Sequence, residues 1–240
     1  MKVILLAAGR GKRFGKQTQN LPKCLIPLRK SGENLLSRYL DSFRKTGLKD
    51  VVIVCGYQKE KIKKECGKKG GSLNIRFVFN KEYRKGSLLS LYTAGHELDG
   101  DCLIMDADVY FPTKALERLL KSRFQTAFLI DSAAKSTGEE MMLMSKKWPR
   151  PFSISKKVNP GLKILGESVG FLKIAGHDAP FLRKVLEDFV KRGKVNVEYE
   201  EAYNVLIKKR KAGFEKMNGF FWTEMDFKED LEKIKQFSRL

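Results

Sequence analysis

Histidine and cysteine are scarce in this chain of 240 residues: it holds two histidines and four cysteines. The cysteines, Cys24, Cys55, Cys66 and Cys102, lie far apart and form no C-x-x-C. That argues against a zinc site and a disulfide framework, and makes a reducing cytoplasm the expected compartment. Nor does the sequence offer a Ser/His/Asp or Cys/His set for nucleophilic catalysis. No apolar run approaches the roughly 20 residues that a membrane-spanning helix needs. The stretch from Val3 to Ala8 gives way at once to glycine and does not read as a signal peptide.

Acidic side chains are outnumbered. Asp and Glu total 28 against 48 Lys and Arg, a formal charge of +20. Such a field favours anionic partners, whether nucleic acid, an acidic membrane surface or phosphorylated small molecules. The basic residues are scattered (Lys12-Arg13, Lys59 to Lys69, Lys146-Lys147, Lys156-Lys157, Lys208 to Lys211) and form no detached tail. A Lys-rich solvated surface explains them equally well.

What is present suits a packed α/β domain, with 42% of the residues hydrophobic. Lys2 to Ala7 is an almost wholly apolar run ending at Gly9, as expected of a buried parallel strand. Leu35, Leu36, Tyr39, Leu40 and Phe43 recur at helical spacing before Gly47. Strand patterns follow at Val51 to Cys55, Ile75 to Phe79, Cys102 to Met105 and Thr126 to Ile130. Helical segments at 58–66, 86–98 and 113–121 separate them. This alternation predicts a mostly parallel sheet covered on both faces. Beyond residue 135 short strand candidates at Met141 to Met144, Phe152 to Ser155 and Val169 to Ile174 read as antiparallel, flanking or extending that sheet. Amphipathic patterns around Phe181 to Val190 and Phe227 to Ile234 add two helices. No linker or repeat interrupts the chain, so residues 1–240 are expected to form one domain.

Ligands of an open α/β sheet bind beyond the carboxyl ends of its strands. The first such end carries Ala8-Gly9-Arg10-Gly11-Lys12-Arg13-Phe14-Gly15, where glycine admits close backbone approach and Lys and Arg supply charge. The loop is neither G-x-x-x-x-G-K-[ST] nor G-x-G-x-x-G, which disfavours a P-loop and a dinucleotide site. It continues to Asn20-Leu21-Pro22-Lys23-Cys24-Leu25. The fourth strand ends in Asp106-Ala107-Asp108. Taken alone, that pair suits a metal site, a helix cap or a turn, and it also fits a D-x-D glycosyltransferase.

The run from Ala7 to Leu28, with A-A-G-x-G-x-R-F-G followed by T-x-N-x-P-K-x-L, resembles the N-terminal signature of sugar-phosphate and alcohol-phosphate nucleotidylyltransferases. Among these it is similar to the small cytidylyltransferases that make CDP-choline and related CDP-alcohols. The likeness recurs at Asp106-Ala107-Asp108, at Gly166-Glu167 and at Trp222-Thr223-Glu224-Met225-Asp226. It implies a three-layer Rossmann-like nucleotidyltransferase fold with a mostly parallel mixed sheet. It also implies Mg²⁺-dependent transfer of a nucleotidyl group, with cytidylyl expected, to a phospho-alcohol such as phosphocholine, releasing pyrophosphate.

The resemblance assigns Asp108 and Asp226 to Mg²⁺, Lys23 and Arg13 to catalysis at the phosphates, and Lys16 as a further cation. It places the nucleotide against Ala8, Gly9, Gly11, Lys12, Arg13, Lys23, Gly86, Ser87 and Asp106, with Asn80, Tyr83 and Ser90 in the base-reading segment. For the acceptor it offers Lys156, Glu167, Tyr199 and Trp222, with Tyr110, Tyr203 and Phe221 as further rings. An aromatic cage with an acid would suit a quaternary ammonium. The implied partners are CTP, or another nucleoside triphosphate, and a phosphorylated small molecule; nucleic acid is not expected and a homodimer is open. A sugar 1-phosphate, inositol phosphate or aminoalkylphosphonate is the alternative acceptor. The other classes left in play are a D-x-D glycosyltransferase and a non-catalytic nucleotide or nucleic-acid binder.

Overall fold

The computed structural model describes residues 1–133 and 138–237, apart from the side chains of Lys16 and Gln17, so the expectation for Lys16 lies outside the described residues. Strand β1 (Lys2–Ala7) sits inside the sheet because its residues are apolar on both faces. Val3, Leu5 and Ala7 enter one core, and Ile4 enters the other with Ala8 just beyond the strand end. Its parallel neighbours are β2 (Asp50–Cys55) and β4 (Cys102–Asp106), and β3 (Asn74–Phe79) extends the sheet beyond β2.

The order along the main path is β10-β6-β9-β4-β1-β2-β3, with β6 at Ala127–Asp131, β9 at Lys163–Ile174 and β10 at Gly213–Lys216. Six of these seven strands run the same way. Only β9 opposes them, pairing antiparallel with β4 on one side and β6 on the other. Of the three antiparallel strands expected to flank or extend the sheet, β9 therefore lies within it. A hairpin of β7 (Met142–Ser145) and β8 (Ser153–Ser155) branches off the first half of β9.

Helices cover both faces and give the expected three layers. On one side α1 (Leu35–Lys45) presents Leu35, Leu36, Tyr39, Leu40 and Phe43, and α4 (Thr113–Leu120) adds Ala115, Leu116 and Leu119. A reciprocal cap starts α1: the Ser37 amide donates to Asn34 Oδ1 at 2.9 Å, and the Asn34 amide donates to Ser37 Oγ at 3.1 Å. On the other side lie α3 (Leu88–Thr93), α5 (Ala179–Lys191) and α6 (Glu200–Lys209). The helix expected over 86–98 is shorter, ending in a 3₁₀ turn at Gly95–Glu97. Helix α6 and strand β10 are additions to the elements expected from periodicity. Helices α2 (Lys59–Lys69) and α7 (Lys228–Phe237) complete the seven helices among the described residues.

Candidate functional site

The carboxyl ends of β1, β4 and β6 open onto one cleft of about 770 Å³. Because β9 is antiparallel, it delivers its first half, with Glu167 opposite Asp131, to the same edge. A two-stranded ladder closes the other side. β5 (Val109–Tyr110) pairs antiparallel with β11 (Thr223–Glu224), and the Met225 amide donates to the Asp108 carbonyl at 2.9 Å. That ladder brings Asp226 beside Asp108 despite their distance in sequence. The Asp226 and Phe227 amides both donate to Asp230 Oδ2, at 3.1 and 2.9 Å, which fixes the entry to α7.

Lys23 is the centre of the arrangement. It begins a short 3₁₀ turn whose next two residues, Cys24 and Leu25, are buried, so the turn is anchored from below. The Lys23 ammonium lies 2.5 Å from Asp108 Oδ2 and 2.6 Å from Asp226 Oδ1. Burial alone would lower the pKa of this ammonium, but the two carboxylates overcome that and hold it above its ordinary value. Arg13, which is more exposed, reaches the other oxygen of Asp226 at 2.6 Å and stacks over Phe227. The 3₁₀ segment 12–18 keeps Arg13 there, with the Thr18 hydroxyl donating to the Gly11 carbonyl at 2.8 Å.

Asp106 plays a different part from Asp108. The Tyr199 hydroxyl donates to Asp106 Oδ2, and the Tyr39 hydroxyl donates to the Asp106 carbonyl at 2.5 Å. Burial, with Asp108 and Glu200 nearby, pushes the Asp106 carboxyl well above the usual range. Gly170 makes room for it: its φ is +78°, and a Cβ there would lie 2.5 Å from Asp106 Oδ2.

Lys156, Glu167, Tyr199 and Trp222, the residues expected at the acceptor, all line the cleft, together with Asp131 and Glu140. The Trp222 indole donates to Asp131 Oδ2 at 2.9 Å. Partial burial, then the charges of Glu140 and Asp131, push Glu167 up to about 7. Lys156 is paired with Glu139 at 3.7 Å. Tyr199 is largely buried, and its hydroxyl is committed to the Asp106 carboxylate.

Some expected residues are not brought to the cleft. Ala8 is buried, with its carbonyl accepting from the Tyr57 amide. Gly86 packs against the backbone of Asn196 and Val197 with no room for a Cβ, and its amide donates to the Val195 carbonyl. Its neighbour Ser87 does line the cleft, donating to Glu198 Oε2 at 2.5 Å and accepting from the Tyr199 amide. Asn80 is buried and bonded to Ser90, and Tyr83 packs on Gly56. Tyr110 and Tyr203 belong to the cores, and half-buried Phe221 packs against the first of them. Gly11, Lys12 and Arg13 line the cleft, whereas Gly9 lines a small adjoining hollow with Lys23 and Asp108.

Two features had no forecast. Glu224 sits beside Asp108 and Asp226, and burial, then those two charges, push it up to about 8. It lay within the quoted Trp222–Asp226 segment, but nothing in its spacing set it apart. The second is the sign of the cleft: eleven carboxylates and five cations line it, although the chain carries +20 overall. Most of the positive charge is therefore elsewhere.

A divalent cation fits the Asp108–Asp226 pair, since a cation, the Lys23 ammonium, already bridges their oxygens. Among the described residues no group of three or more His, Cys, Asp or Glu could hold a metal unaided. Two carboxylates completed by substrate oxygens and water suit Mg²⁺, which keeps much of its hydration.

Known proteins share this architecture. The chain is 26% identical to the choline-phosphate cytidylyltransferase of Streptococcus pneumoniae, over 98% of this chain and 97% of that protein. It is 31% identical to the CMP-5′-(3-aminopropyl)phosphonate synthase of Streptomyces rubellomurinus, over half of this chain and 19% of that longer protein. In structure, the CTP:phosphocholine cytidylyltransferase of S. pneumoniae superposes with a TM-score of 0.77 at 21% identity, covering 99% of this chain and 98% of that one. Residues 3–160 match the model of the MobA-like NTP transferase domain, and the chain belongs to that nucleotidyltransferase family.

Proposed function

We propose that this protein transfers a cytidylyl group from CTP to a phosphorylated or phosphonate-bearing small molecule that also carries a cationic amine, with residues 1–240 acting as one domain. The observation that carries the transfer is the Lys23–Asp108–Asp226 cluster beside the 11–13 loop. The cationic acceptor is carried by the acid-rich end of the cleft at Asp131, Glu140 and Glu167.

In this reaction a phosphate oxygen of the acceptor attacks the α-phosphorus of the triphosphate. The bond to the β-phosphate oxygen breaks, and pyrophosphate leaves with that electron pair. No protein nucleophile takes part, so rate comes from holding two polyanions in line and from neutralising charge. Mg²⁺, held by Asp108 and Asp226, would supply much of that neutralisation. Lys23 and Arg13, both paired with Asp226, are placed to exchange that partner for phosphate oxygens. Asp106, kept in place by Tyr199 and Gly170, braces the strand end from which Asp108 projects.

Pyrophosphate release from each of four nucleoside triphosphates, measured against phosphocholine, phosphoethanolamine, an aminoalkylphosphonate, inositol phosphate and a sugar 1-phosphate, tests this reading. CTP with a cationic acceptor should lead. UTP or dTTP with a sugar 1-phosphate running clearly faster would replace it.

A further inference from the structure

A second groove, of about 470 Å³, shares no lining residue with the cleft. Its walls are the tip of the β7–β8 hairpin, residues 146–152, and the end of α6 at Ile207 and Lys208. Two large rings stand open there, Trp148 at 51% exposure and Phe152 at 37%. Cations crowd both. The Lys163 and Lys216 ammonium groups lie 4.8 and 5.7 Å from the Trp148 ring centre, and those of Lys146 and Lys208 lie 5.9 and 5.8 Å from that of Phe152. Lys147 and Arg150 complete the lining. Among the described residues no carboxylate lies within ion-pair distance of any of these six, in contrast to Lys23, Arg13 and Lys156 in the cleft.

The surface is built rigidly. Ser145 Oγ donates to the Arg150 carbonyl at 2.7 Å, and the Arg150 amide donates to Lys147 at 3.0 Å. The Phe152 amide donates to Met144 at 2.8 Å. Asn204 grips both backbone groups of Ile154, which ties the hairpin to α6. A contiguous patch that leaves two aromatic rings and six unpaired cations in water marks an interaction site.

We propose that this groove docks the protein onto an anionic phospholipid surface, with Trp148 and Phe152 entering the headgroup layer and the six cations facing lipid phosphates. Such a surface offers the two things the patch lacks: fixed anions in the plane and an apolar boundary beneath them. Single-stranded nucleic acid would need free ring faces for base stacking, but lysine ammonium groups already lie over both rings. A second copy of a chain at +20 is repelled as a whole. No helix among the described residues is long and apolar enough to cross a membrane, so docking of this kind would be peripheral.

Co-sedimentation with vesicles tests the proposal, and it can be read whether or not the chain turns over a triphosphate. The full chain should bind phosphatidylcholine vesicles containing phosphatidylglycerol, with a blue shift of tryptophan emission, and should bind pure phosphatidylcholine far less. Binding should weaken as salt is added. The double reversal Lys146→Glu with Lys147→Glu should cost tenfold or more, since each basic residue near such a surface is worth roughly fivefold. Trp148→Ala with Phe152→Ala should cost about tenfold at unchanged charge. The reversal Lys68→Glu with Lys69→Glu, on α2, should cost much less. Unchanged melting and circular dichroism verify folding in each variant. Absent binding at low salt, equal binding to neutral vesicles, or equal losses from the Lys68 and Lys146 reversals would each overturn the proposal. So would tighter binding of polyuridylate, lost in the Trp148→Ala and Phe152→Ala variant.

Discussion

The Lys23 ammonium donates to Asp226 Oδ1 at 2.6 Å while also touching Asp108, so one cation is shared by the two carboxylates proposed to hold metal. Asp108 and Asp226 would have to give up the Lys23 ammonium to hold a metal, which would leave Lys23 to meet phosphate. Asp108→Asn and Asp226→Asn should each lower turnover by about 10²-fold or more, the scale of losing one preorganised electrostatic contact. Steady-state pyrophosphate release checks this. Near-normal turnover in both variants would sink the assignment.

Lys23→Ala separates the structural part of that cluster from its chemistry. Among the described residues, removing the ammonium leaves Asp108 with no paired cation and Asp226 with Arg13 alone. A charged group buried without its partner is costly, so the variant should melt lower than the wild type. Mg²⁺ without substrate should then raise its midpoint more than it raises that of the wild type, because no ammonium must be displaced. Calorimetric scans with and without Mg²⁺ read this directly. Equal shifts in the two proteins would show that Lys23 and the metal do not share a site.

The raised carboxyls of the cleft give the metal-free protein a definite pH response. Burial and neighbouring acids raise Glu224 to about 8 and Glu167 to about 7, and burial chiefly raises Glu200 to about 7, all from an ordinary value of 4.5. Between those limits the native state binds more protons than the unfolded chain, so stability falls as pH rises. The contribution is fully present below about 4.5 and is lost through 7 to 8. Melting midpoints without metal should therefore decline across that window, and Glu224→Gln should flatten the decline at its upper end. A midpoint that rises from pH 4.5 to 8 would contradict the charge arrangement described.

Much of this was legible in the sequence because the informative residues are local. The Gly9–Lys23 loop and Asp106-Ala107-Asp108 each follow an apolar strand, and the strand ends alone place them on one edge. The same reasoning was blind to partners supplied from a distance. Tyr199 looked like an acceptor ring, yet the fold turns its hydroxyl to Asp106, and Gly86 is held by the backbone of 195–197. Strand β9 was read from Val169 onward because Lys163, Gly166 and Glu167 break its apolar pattern. Of these, Glu167 leaves the core to border the cleft, Gly166 packs against the backbone of Asp131, and Lys163 lies over the Trp148 ring. The acidic sign of the cleft could not be read either, since composition gives a total charge and says nothing of where it gathers.

Glu167 offers a test of the acceptor that leaves the nucleotide end untouched. With its carboxyl near 7, it is largely ionised above that pH and neutral below it. An ionised Glu167 beside Asp131 and Trp222 attracts a cationic head, so the KM for a cationic acceptor should climb as pH falls through about 7. The KM for CTP should not follow the same curve, because its phosphates are proposed to meet Lys23, Arg13 and the glycine loop rather than Glu167. Glu167→Gln fixes the site in its neutral form. It should raise the acceptor KM at alkaline pH about tenfold, the loss of one charge-assisted contact, and remove the pH dependence. With inositol phosphate or a sugar 1-phosphate, which carry no cation, the same substitution should change little. Acceptor KM profiles for the two proteins, one acceptor of each kind, decide between a cationic and a neutral substrate. An unchanged profile for the cationic acceptor in Glu167→Gln would move recognition of the amine away from this carboxylate.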